Sequence, residues 1–377
     1  MNPIFEKGGK LYWLHSTVDA FESFLHVPGT VTRSGSHVRD AVDLKRIMIV
    51  ALLAAVPAAL FGIWNVGYQH ALATGAAPSF WPDFWFGFLK VLPLFVVSYV
   101  VGLAIEFGWA QARGEEVNEG YLVTGFFIPL IVPVDVPLWM LGIAVAFSVI
   151  FVKEVFGGTG MNIWNPALMA RAFLFFSYPS KMTGPDAWIA LRQGESLVDA
   201  ASGATPLSFI GGGLESLRGA SVQYGTGFWD LFLGTVPGSV GETSVAAILI
   251  GAFILLWTGI ASWKVMLSCV AGALLAGGLA GAAGLTDLPA WYHLVMGGFA
   301  FGTVFMATDP VTCAQTETGK WIYGLLIGVL CVLIRLFNPG YPEGMMLAIL
   351  LGNTFAPLID YVVTERHISR KLKRAGR

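Results

Sequence analysis

An all-α, polytopic membrane protein is the fold class this sequence predicts, and three observations carry it. Hydrophobic residues make up 55% of the chain and charged residues 12%, about half the share of an average soluble protein. Apolar runs of roughly 20 residues, the length that crosses a bilayer as a helix, recur along the chain. Basic residues gather at the two ends, before the first apolar run and after the last. The net charge of -2 gives no footprint for a nucleic-acid partner.

The first segment, 1–46, reads as a polar arm on the cytoplasmic side. Met1 opens no secretory signal, because a charged start followed by a short apolar core is missing. Leu11, Leu14, Val18, Phe21 and Leu25 alternate spacings of three and four, which predicts an amphipathic helix. Such a helix suits the membrane surface, a partner subunit or the protein's own body. Arg33, Arg39, Lys45 and Arg46 lead into the first span.

About ten spans follow, at 47–67, 84–110, 120–133, 137–157 and 163–177 in a first half, and 244–262, 265–284, 292–308, 321–337 and 343–363 in a second. Pro129, Pro133 and Pro166 interrupt the third and fifth, several spans are short, and the tenth carries Gly352, Asn353 and Pro357. Broken helices free backbone groups that protein or a polar cavity must receive. Ten crossings return the chain to its starting side, so the basic arm and the basic tail, 364–377, are both placed in the cytoplasm. Arg113, Lys264 and Lys320 then fall in cytoplasmic turns, and the long polar interval 178–243 falls outside. The fifth and tenth spans share a polar start and a Met–Ala core, at Asn165-Pro166 and Pro342-Glu343, which hints at an inverted five-plus-five repeat.

Four groups of residues could carry chemistry. In 199–207, Asp-Ala-Ala-Ser-Gly-Ala-Thr-Pro-Leu, Thr205 is the one threonine. Small residues precede it, and Pro206 pushes it toward extended backbone. The stretch is either an open strip offering a hydroxyl to a modifying enzyme or an ordinary small-residue turn. In 153–166, three glycines surround Thr159, and Asn162 and Asn165 open a helix. Such a nest suits an anion or the polar edge of a flavin, and a plain turn accounts for it equally. Arg171 follows on that helix and faces the bundle interior on this reading. Five acids sit near span ends: Glu106, Glu119, Asp309, Glu343 and Asp360. Each is either a solvated helix end or a functional carboxylate. Cys269, Cys313 and Cys331 form no close pair and the six histidines no helical pair, so no zinc, haem or iron–sulfur site is read.

The pattern Asp199-x-x-Ser202-Gly-Ala-Thr205 resembles the flavinylation motif of the B and D membrane subunits of two related complexes. These are the sodium-translocating NADH:quinone oxidoreductase and the Rnf ferredoxin-oxidising complex. The likeness runs from Ser36-His-Val-Arg-Asp to the basic tail. It includes 41–48, Glu116-Val-Asn-Glu-Gly, Arg171-Ala-Phe-Leu-Phe-Phe, Phe305-Met-Ala-Thr-Asp-Pro and 335–344. The long arm and these runs are similar to B-type members more than to the shorter D-type.

The resemblance implies a flavin-carrying subunit of a six-subunit complex (A to F) in the bacterial inner membrane. That complex passes electrons from NADH to ubiquinone and exports sodium. It implies FMN joined to Thr205 by a flavin transferase through a phosphoester, noncovalent riboflavin near Asn162 and Asn165, and sodium uptake at Glu106, Asp309 and Asp360. The implied partners include an NADH-oxidising flavin/iron–sulfur subunit and a second FMN subunit. Where a Gly-Gly pair is expected near the quinone region, this chain has Gly102-Leu103, a departure that bears on that site. The rival readings are a D-type Rnf subunit and, from a different class, a secondary transporter without redox chemistry.

Overall fold

The structure is a computed structural model that describes residues 44–114, 120–183, 187–192, 203–219, 225–338 and 342–376, together with Val18, residues 34–36 and Glu195. The amphipathic helix expected over 11–25 (apart from Val18), Glu119 and residues 199–202, the Asp-x-x-Ser part of the motif, lie outside the described residues.

The described chain is all-helical, as the apolar periodicity requires. The first half holds α1 (Leu44–Ala73), α2 (Phe80–Arg113), α3 (Tyr121–Ile131), α4 (Leu138–Phe147) and α5 (Pro166–Ser177). Short helices α6 (Pro179–Met182), α7 (Gly213–Gly219) and α8 (Phe228–Leu233) follow. The second half holds α9 (Val245–Trp257), α10 (Trp263–Ala282), α11 (Tyr292–Val295), α12 (Phe299–Phe301), α13 (Glu317–Phe337) and α14 (Gly344–Arg374). Five of these, α1, α2, α10, α13 and α14, are long and apolar enough to cross a membrane, and α3, α5 and α9 are shorter apolar helices. The protein is a polytopic membrane protein. Its exposed Leu, Ile, Val, Phe and Trp side chains along α2, α9 and α10 are those of a surface that faces lipid or partner chains rather than water.

Two helix bundles form, and α9 of the second half packs with the first. α1 lies against α2 and α9, and α2 against α3 and α4; α10, α13 and α14 form a second bundle, which α14 joins to α5. The crossing of α10 and α13 is close because small residues line it: a Cβ on Gly328 would stand 2.1 Å from the Cys269 carbonyl oxygen. Cys269, Cys313 and Cys331 are buried free thiols that fill this region.

The short helices end where the sequence cannot continue them. α3 stops before Pro133, leaving carbonyls at its C-terminus. The turn 239–241 receives them: Gly241 N donates to Leu130 O at 2.8 Å and Ser239 Oγ to Ile131 O at 3.3 Å. α4 runs on into a π-helical stretch, Ser148–Glu154, and α12 into another, Gly302–Met306. Wide turns of this kind often mark functional positions.

Three expectations change. The stretch 292–308 is no continuous span: it breaks at Gly297-Gly298, where φ at Gly297 is +60°. The interval 178–243 contains folded parts rather than plain loop. Leu207, Ile210, Leu217 and Leu231 pack with Val295 and Met296 into a second apolar cluster. The basic tail begins as the last turns of α14, which is helical without interruption to Arg374.

Candidate flavin and ion sites

Thr205 lines one cavity and Asn162, Asn165 and Asp309 line a second, α5 contributing Arg171 to the first and its opening residues to the second, while Gly102, Glu106 and Asp360 line neither. α5 is short because Asn165 caps it and Pro166 opens it. The Asn165 side-chain oxygen accepts from Ala167 N at 3.0 Å and Leu168 N at 3.2 Å, and proline at the first position needs no N–H partner. Six residues on, Arg171 lies about 9 Å further along the axis and lines the other cavity.

The first cavity, about 330 Å³, is lined by Thr205 together with Trp188, Arg171, Glu242, Thr243 and Glu343 among others. Thr205 has extended backbone, φ -74° and ψ 154°, as the following Pro206 dictates. It precedes a 3₁₀ turn, Pro206–Gly212, without capping it through its side chain. Its carbonyl takes Ser208 N at 3.0 Å and Ser208 Oγ at 2.7 Å. The main chain is therefore pinned while the hydroxyl is not spent on the cap.

The inner wall of this cavity is charged. Arg171 and Glu242 form a buried ion pair at 2.6 Å, so Arg171 faces the interior as its position suggested. Buried Arg335 donates to the carbonyls of His293 at 2.6 Å and Met296 at 2.8 Å, holding the broken stretch before Gly297. Gly298 N donates to Glu343 Oε2 at 3.3 Å. The two glycines let the main chain pass between the carboxylates: a Cβ on Gly298 would stand 2.4 Å from Glu242 Oε1, and one on Gly297 2.9 Å from Glu343 Oε2.

A latch ties Glu195, ten residues before Thr205, to the bundle. Glu195 Oε2 hydrogen-bonds His70 Nε2 at 2.8 Å and accepts from Arg192 N at 3.0 Å. The His70 ring stacks on Phe86 at 3.9 Å, with the Arg192 guanidinium over the same phenylalanine ring. The hydrogen bond from His70 holds the Glu195 carboxyl below its ordinary range.

The second cavity, about 130 Å³, is lined by Asn162, Asn165, Thr159, Lys153, Asp309 and the rings of Phe127 and Phe305, among others. Gly157, Gly158 and Gly160 all take positive φ, as the nest reading requires. The asparagine amides also hold the local fold: Asn162 Nδ2 donates to Trp164 O at 3.0 Å, and Asn165 Nδ2 to Asp309 Oδ2 at 3.3 Å. α14 braces the turn, with Trp164 Nε1 donating to Thr354 Oγ1 at 2.9 Å. Turning the Asn353 amide also brings its oxygen to Asn165 N at 3.2 Å. Thr159 Oγ1 is buried in this wall without a hydrogen-bond partner among the described residues.

The three acids named as ion candidates do not share one site. Glu106 is no solvated helix end: it is buried in α2 and ion-paired with buried Lys153, whose ammonium also lies 5.8 Å from the centre of the Tyr121 ring. Asp309 reaches the cavity and accepts from Val311 N at 3.1 Å and Thr312 Oγ1 at 3.0 Å. Asp360, outside the cavity on α14, accepts from Gln315 N at 2.6 Å and Thr316 N at 2.9 Å, clasping the turn that starts α13. Gly102 is a packing glycine: a Cβ there would stand 1.9 Å from the Tyr121 ring, whose hydroxyl donates to Ser98 O. Lys153, Glu242 and Thr243 were missed as site residues. Lys153 is a lone cation in an apolar run, which is a readable signal. Glu242 and Thr243 become site residues only when the 236–243 turn folds back onto α3.

Comparison with known proteins agrees with the end-to-end likeness. The profile of the NQR2, RnfD, RnfE family matches residues 31–369. The B-type subunit of the Na(+)-translocating NADH-quinone reductase of Stutzerimonas stutzeri (strain A1501) is 43% identical over 399 residues, covering 98% of this chain and 96% of that protein. The proteins of the same name from Azotobacter vinelandii and Pseudomonas aeruginosa are each 44% identical, over 98% and 99% of this chain and 96% and 97% of theirs. With nearly its whole length matched both by such relatives and by the family profile, the chain belongs to the NQR2, RnfD, RnfE family.

Proposed function

We propose that this chain is the flavin-carrying membrane subunit of a sodium-translocating NADH:quinone reductase, with ubiquinone as the electron acceptor. The observation that carries the reading is Thr205 itself: a threonine on extended backbone, its main chain pinned and its side chain unused as a cap, at a cavity with a polar inner wall. Thr205 is the acceptor for FMN, attached through a phosphoester by a flavin transferase. Asn162 and Asn165 line the pocket for noncovalent riboflavin, which Thr159 also lines with its buried hydroxyl. Bound flavins supply one- and two-electron redox chemistry; the chain holds them and sets their surroundings.

The layout follows from this role: a cytoplasmic arm (1–46), a first membrane half (47–177), an extracytoplasmic segment carrying Thr205 (178–243), a second half (244–363) and a basic cytoplasmic tail. The ten expected spans each coincide with a helix or a broken pair of helices, in keeping with ten crossings; the inverted five-plus-five repeat and the bacterial inner membrane complete the reading. Glu106, Asp309 and Asp360 serve sodium uptake, and Gly102 lies in the quinone region. The partners are the other subunits of a six-subunit complex, including an NADH-oxidising flavin/iron–sulfur subunit and a second FMN subunit.

Supplying this chain to a bacterial host that lacks its own B-type subunit tests the reading. Membranes should regain NADH-dependent ubiquinone reduction that sodium stimulates. Ferredoxin-dependent NAD reduction instead would point to the Rnf class, and a flavin-free complex with ion flux would point to a transporter.

A further inference from the structure

The inner wall of the Thr205 cavity has acceptors and donors that the fold leaves unused. Glu343 and Thr243 are each more than nine-tenths buried and both line the cavity. Glu343 Oε2 takes Gly298 N, but Glu343 Oε1 and Thr243 Oγ1 have no partner among the described residues. Buried polar oxygens left this way are costly to the fold, so the site is built for something that fills it. Nor is Glu343 spent on the helix it precedes: it makes no side-chain cap bond to α14.

Resting on the reading that FMN is attached at Thr205, we infer that Glu343 and Thr243, beside the Arg171–Glu242 pair, recognise the pyrimidine-like edge of the flavin ring. That edge presents one N–H between two carbonyl oxygens. A carboxylate oxygen accepts from the N–H, and a hydroxyl donates to a flanking carbonyl. The Arg171–Glu242 pair closes the wall with its charges already matched, so the pair stays with the protein. The glycine pair at 297–298 is what brings both carboxylates to this wall, since any side chain at Gly298 would displace Glu242. The assignment makes these residues cofactor-binding groups that tune the flavin, distinct from the hydroxyl that anchors it.

The test uses the whole purified complex with Glu343→Gln and, as a gentler change of nearly constant shape, Thr243→Val. Denaturing electrophoresis read by flavin fluorescence reports attachment. Redox titration, with the signal absent in Thr205→Val taken as the flavin in question, reports the ring's surroundings. Both variants should keep the fluorescent band at wild-type intensity. Glu343→Gln removes a negative charge beside the ring and should favour the reduced form tenfold or more, a rise of about 30 mV for a two-electron couple. Thr243→Val removes a donor and should move the potential the other way. Wild-type bands with unchanged potentials in both variants would overturn the inference while leaving attachment intact. A changed sodium requirement at unchanged potential would overturn it in favour of a cation ligand. A wild-type complex without any fluorescent band would remove the attachment on which it rests.

Discussion

Removing one member of the Glu106–Lys153 pair should be far worse than removing both. Each residue is only 3% exposed, and Glu106 Oε2 has no further partner among the described residues. Glu106→Leu takes the carboxylate partner from the Lys153 ammonium in a low-dielectric interior, where the Tyr121 ring centre lies 5.8 Å away. Breaking a buried pair in this way costs about 3–5 kcal/mol, whereas replacing both partners with apolar side chains is near neutral. Lys153→Met should cost a similar amount through the stranded carboxylate. The double variant should therefore lie close to wild type, giving a coupling energy of several kcal/mol. Thermal denaturation of the purified complex, followed by loss of bound flavin and by aggregation, measures all four forms. If the two single losses simply add, within about 0.5 kcal/mol, the pair is not what holds this region. The same set separates two roles of Glu106: a carboxylate that only balances Lys153 leaves the double variant with wild-type sodium dependence, while an ion ligand leaves it with a raised sodium requirement.

Asn162→Leu and Asn165→Leu should each lower extractable riboflavin while the Thr205 band stays. Asn165→Leu should also weaken the complex by about 1 kcal/mol through the lost cap, and riboflavin equal to wild type in both would refute the pocket. Asp309→Ala and Asp360→Ala should raise the sodium concentration for half-maximal quinone reduction, each tenfold change amounting to about 1.4 kcal/mol. Poor assembly with an unaltered sodium titration would make the two acids turn clasps only. The Glu195–His70 latch should open in acid. A carboxylate held below its ordinary value contributes stability above the unfolded pKa and loses it as pH falls through the folded one. Protease cleavage near 195 should thus rise in wild type as pH falls through and below the ordinary glutamate range, and at neutral pH in Glu195→Gln.

Much of the fold was legible because membrane helices advertise themselves by length and composition. Proline and glycine marked where they break: Pro133 ends α3, and Asn165-Pro166 starts α5. The break at Gly297-Gly298 was hidden because the residues around it, Leu294 to Met296 and Phe299 to Phe301, are as apolar as any span. The 178–243 segment looked like loop because its apolar residues are sparse; Leu207, Ile210 and Leu217 meet only when they pack on Val295 and Met296. At the sites, the small-residue string around Thr205 and the glycines before Asn162 were visible in one dimension. The Glu106–Lys153 and Arg171–Glu242 pairs were not, since they join residues 47 and 71 positions apart. Nothing local in the sequence announces such pairs.

The central claim is that Thr205 carries a flavin. The direct measurement is denaturing electrophoresis of the chain, produced together with a flavin transferase, followed by fluorescence imaging and mass analysis of the peptide containing Thr205. The expected result is a fluorescent band, a peptide heavier by one FMN less one water with the added mass on Thr205, and loss of both in Thr205→Val. A dark band with an unmodified Thr205 peptide, or a fluorescent band that survives Thr205→Val, would contradict it.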